Sequence, residues 1–317
     1  MCLQLELFGN ELLIHTPEPA SLRSYAEMPA EMRLSEFFDL YLESVRHRLK
    51  SAYYKERCLI RLERSFGNRF VAELKKVDLM EYIERERKNG KMFSSISVDL
   101  LNLSSVFTHV KKYYGWELQN PVAGLPFVAS QKRVRYIEKE EAARLLECAK
   151  LTRNEALADF IELALNTGCR KGELLQLRFR DIDRKRNILT LDSKTTKTGK
   201  PRYIPINRSA RIVFDRRDTF RQRYCPDSPW VFCKRSGDRY QAINWTFDKA
   251  VKLAGIRNFH IHDLRHTFAS WLVSEGVELA KIRDLLGHSS ITMTERYAHL
   301  APDRLHDAVN VLDKLTR

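Results

Sequence analysis

The sequence predicts a mainly α chain with a small β-hairpin or sheet. An N-terminal helical domain is followed by a second, mixed but mostly helical domain. Three observations carry this. Apolar residues recur at helical spacing from Leu34 to Val110. The stretch NPVAGLPFVASQKRVR at 120–135 then breaks the pattern with two prolines, a glycine and a basic end. Beyond it helical periodicity returns, broken once by an alternating segment, NILTLDSKTTKTGKPRYIPI.

Residues 1–32 carry Pro17, Pro19 and Pro29 without sustained periodicity, and read as a tail or loosely attached arm. Leu34, Phe37, Phe38, Tyr41, Leu42 and Val45 form one face of an amphipathic helix. A second helix spans about 51–66 and stops at Gly67. Asp78 is placed to cap a third, which ends near Gly90. Ser94 or Ser95 caps a fourth, with Leu100, Leu103, Phe107 and Val110 on one side and Gly115 closing it. Short connections predict a compact helical domain at 33–119, and 120–135 reads as a linker. Helix returns over 138–182. In the hairpin, Leu189 and Leu191 face one way and Ile188, Thr190 and Asp192 the other. Gly199-Lys200-Pro201 turns the chain, and Tyr203 to Ile206 returns. Further helices are expected at about 209–224, 244–254, 262–274 and 278–285. A last one at 303–315, with Leu305, Ala308, Val309, Leu312 and Leu315 apolar, completes a domain at 136–317.

The 317 residues carry a net charge of +14, which points to a polyanionic partner. Residues 1–32 are net −4, residues 33–133 net +7 and residues 134–317 net +11, so both main segments are basic. The six cysteines form no CxxC pair. That argues against a zinc ribbon or disulfide framework and fits small buried hydrophobes in a reducing compartment. The start, MCLQLELFGNELLIH, is acidic where a signal peptide is basic. No uncharged apolar run approaches the roughly 18 residues that a membrane span needs. A cytoplasmic protein is expected.

HDLRHTFASWL begins at His262. His262 and His266 have a spacing that can hold zinc, but Asp263 stands where the hydrolytic version has Glu. Leu264, Phe268, Ala269 and Leu272 form a core stripe. Neither reading accounts for His262 and Arg265, which offer a proton donor and a bidentate cation to one anion near a helix start. TGCRKGE sets Arg170 between glycines, with Glu173 three residues on to orient it. The hairpin tip offers Lys194, Lys197 and Lys200. LLGHSSITMTERYAH places Tyr297 nine residues after His288. Two arginines, a lysine, two histidines and a tyrosine, without a matching carboxylate cluster, suit metal-free phosphoryl transfer. The guanidiniums neutralise phosphate oxygens, His and Lys move protons, and Tyr attacks.

These stretches, in this order, resemble the tyrosine recombinase family, also called phage integrases, in the two-domain form of the Xer proteins. The resemblance implies a SAM-like core-binding domain at 33–119 and a catalytic domain at 136–317. It implies that Arg170, Lys197, His262, Arg265, His288 and Tyr297 are catalytic, with Glu173 supporting and Lys194 the alternative lysine. Tyr297 is then the nucleophile that joins a 3′ phosphate, and Lys197 the acid for the departing 5′ oxygen. Lys132, Arg133, Arg135, Lys171, Lys194, Lys200 and Arg202 are candidate DNA contacts. The implied partners are double-stranded DNA, a tetramer of the chain on two DNA sites, with the 303–315 helix exchanged between protomers, and accessory DNA-bending proteins. No metal or other cofactor is implied, and the location is the nucleoid. The acidic residues 1–32 do not resemble a basic arm-binding domain. The competing readings are a type IB topoisomerase, a non-catalytic DNA-binding regulator and a zinc hydrolase built on His262 and His266.

Overall fold

The computed structural model describes residues 29–47, 52–125, 135–193 and 200–301. The chain divides into two compact units, Met1–Gln131 and Lys132–Arg317. Both are mainly helical, and the second holds one small sheet. The expected 303–315 helix and most of the N-terminal arm lie outside the described residues. Among the described residues no helix is long and apolar enough to cross a membrane.

The first unit contains α1 (Leu34–Arg46), α2 (Ala52–Phe66), α3 (Lys76–Lys88) and α4 (Phe93–Tyr114). α4 packs against the other three. The α1 stripe enters the core, where Phe37 meets Phe107 edge-on at 5.1 Å. Each such side chain contributes roughly 1.5–3 kcal/mol on burial. Two helix starts differ from expectation. α3 begins at Lys76, before Asp78, because the Asp78 carboxylate reaches back and accepts from the Lys75 backbone N–H at 2.8 Å. α4 begins at Phe93, and neither Ser94 nor Ser95 caps it. Asp99 on α4 is buried. Its carboxylate accepts from Tyr82 and Arg61, each at 2.8 Å, and from Lys91 at 2.5 Å. The expected linker begins as packed structure, since Val122 and Leu125 are buried in this unit's core.

The second unit contains α5 (Lys139–Lys150), α6 (Leu157–Thr167), α7 (Lys171–Leu175), β1 (Ile182–Asp183), β2 (Ile188–Leu191) and β3 (Arg202–Pro205). These are followed by α8 (Arg208–Tyr224), α9 (Asn244–Leu253), α10 (Asp263–Ser274), α11 (Leu279–Leu286) and α12 (Thr292–Glu295). α6 buries most of its side chains against α5, α8 and α10, while Asp159 and Glu162 on its polar face pair with Arg216 of α8. The sheet is antiparallel in the order β1-β2-β3, with Leu189 paired to Ile204 and Leu191 to Arg202. Leu189, Leu191 and Ile204 point into the core. The short β1 has no periodic signal in the sequence. Cys58, Cys169, Cys225 and Cys233 are buried.

Candidate active site

Three helix ends build the site. α6 ends at Gly168, whose φ of 62° is left-handed. A Cβ there would lie 2.4 Å from Phe268 Cδ1 and 2.9 Å from Leu286 Cδ2, so only glycine fits. The chain then turns into α7 with Arg170 at its N-cap. Glu173, one turn on, accepts from the Arg170 backbone N–H at 2.8 Å and from its guanidinium at 2.9 Å. The same carboxylate accepts from Arg202 Nη2 at 2.7 Å. Burial pushes the Glu173 carboxyl up, but Arg202 and Arg170 outweigh it and hold it below the usual carboxylate range.

α10 supplies the second group. Arg265 is 3% exposed. It donates to Gly168 O at 2.8 Å and to Leu286 O at 2.5 Å. Burial, then the neighbouring Arg170 and Arg202, push its pKa down to about 9. Two guanidiniums pair with Glu173 and a third, Arg265, lies nearby without a carboxylate partner of its own, an excess of positive charge in a largely buried place that favours an anion. His262 stands at the N-cap of α10. Burial lowers its pKa first, then Arg265 and Arg170, which favours the neutral ring.

α11 supplies the third. It ends at Gly287, φ 62°, and His288 follows. His288 Nδ1 bonds Thr294 Oγ1 at 2.8 Å, and Thr294 is fully buried on α12. Burial, then Arg265 and Arg170, push His288 down to about 3. Tyr297 follows α12. Its ring lies in an apolar cluster with Phe268, Val273, Ile282 and Leu286, and it is 1% exposed. Its hydroxyl is 2.5 Å from His266 Nδ1. Burial pushes the Tyr297 phenol up to about 12, against Arg296 and Arg265. Burial and His262 push His266 down to about 4.

Arg170, Glu173, His262, Arg265, His288 and Tyr297 thus gather in one place within the second unit. Lys197 and Lys194 lie outside the described residues, as do Lys132 and Arg133. The other expected DNA contacts differ among themselves. Lys171, at the surface, donates to Asn244 at 3.0 Å, and Lys200 is exposed. Arg135 pairs with Glu141 at 3.3 Å, its guanidinium 6.0 Å from the Phe259 ring centre. Arg202 requires a correction. It is 7% exposed, and its donors go to Glu173 and to Leu286 O, which makes it part of the interior of the site. The strand alternation carries this signal, since Arg202 is two residues from the inward Ile204. The Tyr297 contact of His266 and the Thr294 contact of His288 have no sequence signal. His262 and His266 meet edge to face with centroids 5.2 Å apart. Among the described residues no group of three or more His, Cys, Asp or Glu is placed to hold a metal ion.

Residues 135–304 match the profile of the phage integrase family, and residues 31–128 match that of the phage integrase N-terminal domain. The integrase of Salmonella phage P22 is 33% identical over 199 residues, which are 58% of this chain and 48% of that protein. The chain thus spans about half the length of this relative. The tyrosine recombinase XerC of Oceanobacillus iheyensis is 27% identical over 77% of this chain and 83% of its own length. Among solved structures, the integrase of the transposon Tn1549 in complex with a circular intermediate DNA has a similar fold. The TM-score is 0.72 at 20% identity, over 90% of this chain and 99% of that one. A lambda integrase tetramer bound to a Holliday junction gives a TM-score of 0.71 at 19% identity, over 92% of this chain and 83% of that one.

Proposed function

The chain belongs to the phage integrase family, and from that premise we propose that it is a site-specific recombinase that cuts and rejoins double-stranded DNA through Tyr297. The observation that carries this reading is the excess of buried positive charge. Arg170 and Arg202 pair with the carboxylate of Glu173, and Arg265 lies close enough to feel all three without pairing to it. A backbone phosphate supplies the missing anion. Arg170 and Arg265 hold its non-bridging oxygens, and the charge that develops as phosphorus becomes five-coordinate is met by groups already in place. His262 and His288, whose neutral forms burial favours, donate hydrogen bonds to the same oxygens without adding to the cation cluster.

Tyr297 Oη attacks phosphorus, and the bond to the 5′ oxygen breaks. Lys197 is the proposed proton donor to that leaving oxygen. The 3′ phosphate stays on Tyr297, so the energy of the broken phosphodiester is kept and rejoining consumes no ATP. Attack by a 5′ hydroxyl from a second duplex exchanges strands and leads through a Holliday junction. Four such sites on two duplexes require a tetramer, for which exchange of the segment 303–315, expected from the sequence to be helical, is the proposed link. Because the phenol is 1% exposed, it has to be uncovered before a phosphate reaches it.

The test uses nicked duplexes drawn from the DNA flanking the gene. The wild type should form an adduct that survives a denaturing gel in the presence of chelator, and Tyr297→Phe should form none. A protein that binds such DNA without forming an adduct is a regulator. An enzyme that forms it but joins no two sites in a recombination assay, and relaxes supercoils instead, is a topoisomerase.

A further inference from the structure

We propose that His266 is a further catalytic residue, the group that takes the phenolic proton of Tyr297 as its oxygen bonds to phosphorus. The proposal rests on the recombinase reading above. Its basis is geometric. His266 Nδ1 lies 2.5 Å from Tyr297 Oη, and both residues are buried. Two other acid–base groups of the site are committed elsewhere. Glu173 holds Arg170 and Arg202, and His288 uses Nδ1 on Thr294. The sequence puts His266 one turn after His262 and next to Arg265, so one helix presents both the phosphate-facing groups and the proton acceptor.

The charged and titratable groups facing His266 are His262, Asp263 and Arg265 from α10, together with Tyr297 and Arg296 from the stretch after α12. At rest burial and these cations leave His266 near 4 and Tyr297 near 12, so the proton stays on the phenol. A phosphate entering beside Arg265 places negative charge where the cations suppress His266, and its basicity rises. The phenol, meanwhile, becomes strongly acidic as its oxygen bonds to phosphorus. The step balances. The Tyr297 O–P bond forms while the proton passes to His266 Nδ1. The P–O5′ bond breaks, and its electron pair leaves on the 5′ oxygen, which takes a proton from the donor proposed above, Lys197. In the return step the 5′ hydroxyl gives its proton back to Lys197 and bonds to phosphorus, the Tyr297 O–P bond breaks, and the phenol recovers its proton from His266.

The test uses the full-length protein and the nicked duplexes described above, with His266→Ala and His266→Asn. The expected result is single-turnover adduct formation slowed by about 100-fold or more at pH 7, with DNA affinity unchanged. Added imidazole should restore His266→Ala, and its rate should climb as pH rises toward the tyrosine range. A His266→Ala rate within about threefold of wild type, or a slow rate that neither imidazole nor high pH restores, overturns the proposal. A second measurement avoids DNA and survives poor folding of a variant: 15N NMR of the wild-type His266 ring. An unprotonated Nδ1 whose resonance moves in Tyr297→Phe is expected, and a protonated Nδ1 overturns the proposal. Absence of any wild-type adduct on bound DNA sinks the recombinase reading itself. A normal wild-type adduct with an unimpaired His266→Ala sinks only this inference.

Discussion

Arg202 and Arg265 share one acceptor. Both guanidiniums donate to the carbonyl oxygen of Leu286, at 2.6 and 2.5 Å. That carbonyl is available because α11 ends there, and the negative end of the helix dipole favours cations at that point. The foot of the hairpin, the start of α10 and the turn that carries His288 are therefore tied to a single oxygen. Arg202 also reaches Glu173 and, through it, Arg170.

Removing Arg202 should loosen all of these at once. Arg202→Ala leaves Leu286 O with one donor and Glu173 with Arg170 alone. The expected loss is about 3 kcal/mol of stability, read from urea denaturation. Adduct formation should fall far more than DNA affinity, since affinity is spread over many phosphate contacts.

Gly168→Ala should be costly for two separable reasons. Its φ of 62° strains any side chain, and the new Cβ meets Phe268 at 2.4 Å. Together these should cost about 2–4 kcal/mol. Gly90 has a φ of 80°, and a Cβ added there would meet nothing within 4 Å, so Gly90→Ala should cost only about 1 kcal/mol. The difference between the two urea midpoints measures the clash.

Acid should weaken the second unit above the range where carboxylates titrate. His266 and His288 fall from the usual 6.5 to about 4 and about 3 in the folded protein, chiefly through burial. Below 6.5 the unfolded chain binds protons that the folded site refuses. This contribution is therefore fully present above about 6.5 and is lost as pH falls toward 4. The urea midpoint should be lower at pH 5 than at pH 7.5. An equal midpoint at both would mean that these histidines are not held neutral.

Asp99→Ala should act on the first unit alone. It removes a buried carboxylate that receives Tyr82, Arg61 and Lys91. The expected cost is about 3–5 kcal/mol, seen as faster amide exchange in α2 and α4, with α10 and α11 unchanged.

Much of this is legible in the sequence, for identifiable reasons. The α1 stripe follows from 3.6-residue periodicity, and Gly67, Gly115 and Gly287 mark helix ends because each takes a left-handed φ. The motifs TGCRKGE, HDLRH and LLGH hold residues that meet through tertiary contacts. What stays hidden depends on where backbone carbonyls point. Leu286 O and Gly168 O anchor two arginines, and no residue type announces that. Asp78 misleads because a carboxylate caps equally well from inside the first turn. The charge of Arg202 points to the surface, but its place in the strand alternation points inward, and the buried partners Glu173 and Leu286 O decide between them.

Tyr297 is the residue proposed to carry the DNA strand, and the most direct measurement is mass spectrometry of the trapped adduct after digestion with trypsin and nuclease. The expected product is a nucleotide 3′ phosphate on the peptide that begins at Tyr297 or contains it, with no adduct from Tyr297→Phe. A nucleotide on any other residue, or an adduct that survives in Tyr297→Phe, would contradict that assignment.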